Sequence, residues 1–132
     1  MKIRFILPLL FLAFLSCSKK NEVDPDLGTL VAGTYQATYL EAFGEKVTLP
    51  QDGISVGILL ARIDNENAEF LMTSNIQGEI TQEGGDVTLK RSGDRILIFA
   101  PGSLEMGYVK GKELILDFVS VDGNRVKVEA SR

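Results

Sequence analysis

The chain has 132 residues, of which 45% are hydrophobic and 24% charged, and its formal net charge is −4. This length is that of one domain, and the acidic balance argues against nucleic acid as a partner. Histidine is absent, which removes the commonest general base and the commonest metal ligand. The single cysteine excludes an internal disulfide framework and a thiolate zinc site.

Residues 1–16 have the pattern of a secretory signal peptide. Lys2 and Arg4 provide its positive start, and an unbroken apolar run follows from Phe5 to Leu15. A membrane-spanning helix needs roughly 17–25 apolar residues, so this run is too short for a permanent anchor. Two alternatives stay open: an ordinary secreted protein with a cysteine near its cleavage point, and an uncleaved membrane helix.

The segment Phe14-Leu15-Ser16-Cys17 resembles the lipobox of bacterial lipoproteins, with Phe14 where that family prefers leucine. The resemblance implies that Cys17 becomes the first residue and is acylated on its sulfur and its new amine. More than one buried acyl chain gives stable anchoring. Ser18 after the cysteine resembles outer-membrane lipoproteins, and Lys19-Lys20 favours a domain that faces the periplasm.

A tether is expected between the lipid and the folded domain. Cleavage after residue 16 removes two basic residues and no acidic one, which leaves a net charge of −6. Residues 17–26 are interpreted as the lipidated cysteine and this tether, because they lack apolar periodicity. The folded domain is expected over 27–132.

The remaining sequence predicts strands. No stretch after residue 27 keeps helical apolar spacing over three turns, whereas two-residue alternation is common. Turn residues recur at intervals of about 8–12 residues, which is typical of all-β domains. We predict strands over 30–41, 45–50, 54–64, 67–76, 78–83, 86–91, 94–100, 104–110, 112–121 and 124–131, some of the short ones being parts of one bulged strand.

The last two strands show the clearest alternation. Their predicted core residues are Leu114, Leu116, Phe118, Val126, Val128 and Ala130. Asp122-Gly123 predicts a hairpin turn between them. The runs 54–63 and 95–100 are apolar on both faces, which indicates strands that are covered on both sides or that form a contact surface.

The overall pattern resembles the small lipocalin-like lipoproteins of Gram-negative envelopes. The resemblance covers 30–132 and depends on Gly33-Thr34-Tyr35 in the first strand and on Leu114-Ile115-Leu116-Asp117-Phe118 near the end. It implies an antiparallel meander that closes into an eight-stranded barrel, with a hydrophobic ligand as an expectation. The length suits such a barrel, whose interior holds one small ligand or is filled by side chains. A β-sandwich is the alternative.

Aromatic residues supply the candidate ligand site. Tyr35 and Tyr39 are expected on one face of the first strand, and Phe118 points inward on a late strand. First and last strands meet in a closed meander, so these residues are candidates for a pocket, with Met72 and Met106 as adaptable lining. The alternative is ordinary core packing.

No residue pattern indicates catalysis or a metal centre. A nucleophilic hydrolase needs a base and an orienting group, and the chain has no histidine. Asp117 is unusual in an apolar strand, and alternation predicts that it faces solvent. Asp64-Asn65-Glu66-Asn67 is interpreted as a turn because it lacks the spacing of a calcium loop.

The sequence therefore predicts a lipid-anchored, non-catalytic protein of the cell envelope, without a cofactor and without a nucleic-acid partner. It binds a small apolar molecule or an envelope protein. The alternative is a structural or accessory subunit whose barrel is filled and has no ligand cavity.

Overall fold

The computed structural model describes residues 26–132. The predicted signal peptide, the lipidation of Cys17 and the tether as far as residue 25 lie outside these residues. The elements are α1 (Leu27–Val31), β1 (Gly33–Ala42), β2 (Glu45–Thr48), β3 (Ile54–Arg62), β4 (Asn67–Ile76), β5 (Glu79–Ser92), β6 (Arg95–Ala100), β7 (Leu104–Lys110), β8 (Glu113–Val119) and β9 (Arg125–Ser131). Within 26–132 no helix is long and apolar enough to cross a membrane.

The strands form one antiparallel sheet that closes on itself. From β3 to β9 each strand pairs with the next, and β9 pairs with β1 from Ser131↔Gln36 to Val126↔Ala42. On its other edge β1 pairs first with β3 and then with β2, so these two follow one another as one interrupted strand. The predicted all-β meander and the eight-stranded barrel are confirmed, and the sandwich alternative is excluded.

The first predicted strand begins with a helix instead. Residues 27–31 form α1 because the Asp26 carboxylate accepts a hydrogen bond from the Thr29 amide at 2.9 Å, an N-cap. The Leu27 amide donates to the Asn65 carbonyl at 3.0 Å, which fixes α1 on the β3–β4 turn. A five-residue helix is too short to show the apolar periodicity of a helix. Only Asp26, a residue type that favours the N-cap position, could have indicated it from the sequence.

Two predicted strands, 78–83 and 86–91, are one strand. Gly84 and Gly85 lie inside β5, whose register with β4 is unbroken. A Cβ atom on Gly84 would overlap the Phe70 carbonyl, so glycine permits a close approach of the two strands. No such contact surrounds Gly85.

The barrel has two different ends. The end that carries α1 and the turns at 63–66, 93–94 and 111–112 is called the helix end, and the opposite end is called the mouth. Side chains fill the interior from the helix end; the largest fully buried ones are Val31, Tyr35, Ile58, Leu60, Ile98, Leu114, Leu116 and Val128. The predicted core positions Val128 and Ala130 are buried as expected.

Arg132 closes the helix end. Its guanidinium donates hydrogen bonds to the carbonyls of Ala32 (2.6 Å) and Leu30 (2.7 Å), which are left unpaired where α1 ends. It also donates to Gly111 in the β7–β8 turn at 3.2 Å, and lies 5.3 Å from the centre of the Tyr35 ring. One side chain therefore joins α1, a turn and the core.

The outer faces of the doubly apolar strands are partly covered by neighbours. In β6, Ile98 is buried inside, whereas Leu97 is half-buried outside and pairs with Tyr108. The Arg95 guanidinium lies 4.3 Å from the centre of the Tyr108 ring. In β3, Leu59 remains 40% exposed.

Adjacent glycines provide a stability test. Gly84→Ala should lower the free energy of unfolding by about 1–3 kcal/mol, because the new methyl group forces β4 and β5 apart. Gly85→Ala, the matched control, should change it by less than about 0.5 kcal/mol. Urea unfolding measures both, and equal effects would contradict the register of this hairpin.

Acid should weaken the fold through two ion pairs. Hydrogen bonds from Arg62 hold the pKa of Asp26 below its usual range, and Arg125 does the same for Asp117. A carboxyl with a lowered pKa contributes stability above its unfolded pKa and loses that contribution as the pH falls through the folded pKa. Unfolding free energy should therefore fall below about pH 5.

The variant Asp117→Asn should make this fall shallower, measured by urea unfolding between pH 3 and 7. Asp52→Asn is the control, because Asp52 forms no ion pair with any residue in 26–132. An unchanged pH slope in Asp117→Asn would show that the ion pair does not form in solution.

Candidate functional site

An apolar pocket of about 230 Å³ lies at the mouth. The side chains that form its floor are Phe70, Met72, Met106 and Phe118. Backbone and side chains of β5 and of the β6–β7 turn complete its wall: Glu83, Gly84, Gly85, Asp86, Val87, Ala100 and Pro101. The pocket begins where the filled core ends.

Three of the residues predicted for the ligand site line this pocket: Phe118, Met106 and Met72. Phe118 is the inward residue of β8 nearest the mouth, after buried Leu114 and Leu116. Met106 lies where the β6–β7 register shifts between Ile98 and Phe99, and it packs against the core. Their role in binding stays a prediction.

The register shift at Met106 depends on its neighbour. A Cβ atom on Gly107 would overlap the Ile115 carbonyl, and its φ of 155° is one that other residues rarely adopt. Glycine therefore lets β7 lie against β8 immediately after Met106. Met106, just before this close approach, lines the pocket.

Phe70 and Met72 come from β4. Met72 was an expected lining residue, whereas Phe70 was not proposed for the site. The signal for it was present, because Ala68, Phe70 and Met72 alternate along β4 and the first two are buried. The sequence did not show that the filled core ends beside Phe70 and Met72, so that these side chains line a pocket.

Tyr35 lies at the closed end, away from the pocket. It is fully buried, and its hydroxyl donates a 2.7 Å hydrogen bond to the Val31 carbonyl. Burial raises the pKa of Tyr35, and the nearby Arg132 charge lowers it by less. Phe118 is level with Ala42 through the β8–β9 and β9–β1 pairs. Ala42 is seven residue steps from Tyr35 along β1, roughly 23 Å of strand.

Tyr39 does not share the face of Tyr35. The pairing of β1 with β9 shifts between Ala37 and Tyr39, so Thr38 is an extra residue and the alternation is reversed beyond it. The Tyr39 hydroxyl donates to Glu41 Oε2 at 3.0 Å, and the Lys127 ammonium lies 5.9 Å from its ring centre. A bulge has no dependable sequence signal here, which explains the wrong expectation of a shared face.

The acidic candidates have structural roles. Asp117 faces outward, as alternation predicted, and accepts two hydrogen bonds from the Arg125 guanidinium at 2.9 and 2.6 Å. Asp64 accepts from the Glu66 amide at 2.9 Å, and so forms a turn. In the part of the chain described, no three acidic or cysteine side chains cluster in a way that could hold a metal ion.

Exposed apolar side chains surround the mouth. The large hydrophobic residues that are at least half exposed all lie on its loops or on strand ends beside them: Phe43, Ile76, Ile80, Leu104, Val119 and Val121. Val121 is fully exposed. A concentration of this kind at one end of a protein marks an interaction surface.

Charge is also divided between the two ends. At the helix end the basic residues slightly outnumber the acidic Asp26, Asp64, Glu66, Asp94 and Glu113; they are Arg62, Lys90, Arg91, Arg95, Lys110, Lys112 and Arg132. At the mouth only Lys46, Arg125 and Lys127 are basic, against the acidic Glu41, Glu45, Asp52, Glu79, Glu83, Glu105, Asp117 and Asp122. The mouth is therefore apolar and acidic.

A second and larger depression, of about 1010 Å³, lies between Leu27 and Phe99. Its lining includes Glu66, Lys90 and Arg91, so it lacks the apolar character of the mouth pocket. The mouth pocket is the better candidate because it is lined mainly by apolar side chains that face inward.

Comparisons with known proteins give the fold and no family. No family model matches the chain, and no curated protein matches it. A solved structure described as a redesigned β-barrel is similar, with a TM-score of 0.57 and 16% sequence identity over 81% of this chain and 95% of that one. At this identity the likeness shows the barrel fold alone.

A conservative variant tests the buried hydrogen bond of Tyr35. Tyr35→Phe should lower the free energy of unfolding by about 1 kcal/mol, because the Val31 carbonyl loses a buried donor. Thermal or urea unfolding measures this. A stability equal to that of the unaltered chain would contradict the buried hydrogen bond.

Proposed function

We propose that this protein is a non-catalytic lipoprotein of the bacterial cell envelope that binds an apolar group in the mouth pocket. The observation that carries the proposal is a filled barrel that stops short of its mouth, leaving about 230 Å³ lined by two phenylalanines and two methionines. This volume is below the roughly 300–1,000 Å³ of drug-sized sites, so it suits one small apolar molecule or one end of a larger one.

The chemistry of the lining supports an adaptable apolar site. Unbranched methionine side chains adjust to ligands of different shape, and phenylalanine rings provide flat apolar contact. Of the two acidic residues in the wall, Glu83 lies opposite Met72 on the inner face, whereas Asp86 lies opposite Glu69 on the outer face at the rim. A ligand with a cationic or hydrogen-bond-donating part beside its apolar part is therefore favoured over an anionic one.

The anchor and the mouth are at opposite ends. Asp26 caps α1 at the helix end, so the preceding residues join the barrel there. With Cys17 lipidated, a tether of about nine residues spans at most ~30 Å. The tether then holds the helix end, rather than the mouth, within about 30 Å of the lipid headgroups.

The apolar rim favours a second candidate function. A structural or accessory subunit would use Phe43, Ile80 and Val121, which are exposed around the mouth, to contact an envelope protein. In that case the pocket belongs to the contact surface and takes no free ligand.

Methionine methyl groups offer a direct test of the pocket. The chain has three methionines, and Met72 and Met106 both line the pocket. In the full chain labelled with ¹³C-methyl methionine and held in zwitterionic lipid nanodiscs, toluene should shift these two signals saturably. Phe118→Ala should weaken this binding about tenfold, because the ligand loses an aromatic contact worth about 1.4 kcal/mol.

Tyr39→Ala is the matched control, since it removes an aromatic ring from the outer face and should leave the toluene affinity unchanged. Thermal unfolding of both variants checks that they fold. If neither methyl signal moves at saturating toluene in a folded protein, the binding proposal is wrong.

A further inference from the structure

One side of the mouth is an unpaired sheet edge. β5 pairs with β4 over ten residues, from Glu79↔Ile76 to Thr88↔Asn67. It pairs with β6 only from Thr88 to Ser92. Residues 79–87 of β5 therefore have a neighbour on one side only, within the part of the chain that the structure describes.

The register shows which backbone groups face this edge. The two-residue turn Gln77-Gly78 is flanked by the paired residues Ile76 and Glu79, so the backbone N–H and C=O groups of Glu79 face β4. In an antiparallel ladder every second residue directs both of these groups to the same neighbouring strand. By this alternation Gln82, Gly84 and Asp86 direct theirs away from β4. Among residues 26–132, no backbone group beyond the strand ladders bonds to these three.

The apolar pocket lies directly beside this edge. Residues 83–87 form one wall of the pocket, and Ala100 and Pro101 form the facing wall where β6 ends. A strand added to β5 would therefore continue the line of β6 across the mouth. Its inward side chains would point at the pocket and its outward side chains at solvent.

The acidic residues near this edge favour an added strand that carries basic side chains. Glu69 and Asp86 lie directly opposite each other and are both exposed, an arrangement of like charges that is unfavourable. Glu79 and Glu83 add two more carboxylates along the edge, and no lysine protects it. The described lysines and arginines form no ion pair with any of these four.

The same charges disfavour a second copy of this chain. Two β5 edges paired with each other would bring Glu79, Glu83 and Asp86 of one copy close to the same carboxylates of the other. Like charges set against each other across a pairing are destabilising. A partner that carries lysine or arginine removes this repulsion instead.

We propose that the mouth binds an extended basic segment of another protein. The segment pairs with β5 along residues 79–87, places basic side chains near Glu69 and Asp86, and inserts an apolar side chain between Met72 and Met106. The inference rests on the proposed function, because the pocket must accept an apolar group. It adds the identity of that group, an amino-acid side chain presented by a strand.

The test uses a synthetic peptide of alternating lysine and apolar residues, Lys-Phe-Lys-Leu-Lys-Phe-Lys, with blocked ends. The full chain in zwitterionic nanodiscs is labelled with ¹³C-methyl methionine and ¹⁵N. The peptide should shift the methyl signals of Met72 and Met106 and the amide signals of Gln82, Gly84 and Asp86. A peptide with glutamate in place of lysine should bind at least tenfold more weakly, and empty nanodiscs correct for binding to lipid.

Gln82→Pro removes one edge-facing backbone N–H group without removing a backbone hydrogen bond to β4. It also removes the 3.4 Å hydrogen bond from the Gln82 side chain to the Thr73 hydroxyl, so thermal unfolding must show that the variant folds. It should weaken peptide binding at least tenfold and leave the toluene-induced shifts unchanged. Asp86→Asn should weaken peptide binding by a smaller factor, and Asp52→Asn, elsewhere at the mouth, should not.

The outcomes separate the two proposals. If toluene binds and the peptide does not, or if Gln82→Pro binds the peptide normally, the strand-addition inference is wrong and the apolar pocket stands. If neither toluene nor the peptide moves the methyl signals, both proposals fail.

Discussion

The pairing of β1 along both of its edges is the constraint on which the rest of the structure depends. One edge accepts β3 and then β2, and the other accepts β9, so a single strand converts an open meander into a closed barrel. Closure removes two sheet edges that would otherwise be exposed. It also requires a bulge at Thr38, which turns Tyr39 to the outside while Tyr35 and Ala37 stay in the core.

Closure leaves the two ends of the barrel chemically different. At the helix end α1, Tyr35 and Arg132 fill and cover the interior, and basic residues slightly outnumber acidic ones. At the mouth the long β4–β5 hairpin extends past the end of β6, so the wall is incomplete where the core stops. The open edge of β5 and the pocket beside it follow from this mismatch in strand length.

The sequence predicted the parts of the fold that depend on alternation and missed those that depend on register. Phe118 was placed inward because Leu114 and Leu116 share its spacing, and that holds. Alternation predicts whether a side chain faces inward or outward, but not its position along the barrel axis. The sequence therefore could not show that Tyr35 and Phe118 lie at opposite ends of the barrel. The bulge at Thr38 and the continuity of β5 through Gly84-Gly85 arise from pairing between strands, which no local pattern encodes.

Amide hydrogen exchange of the ¹⁵N-labelled full chain tests most directly the claim of a barrel closed at β1 and incomplete at β5. Amides in the β1–β9 ladder should exchange only through global unfolding, whereas those of Gln82, Gly84 and Asp86 should exchange rapidly because they lack an acceptor. Rapid exchange throughout β9 would contradict closure of the barrel. Slow exchange at those three amides would contradict the open edge beside the pocket.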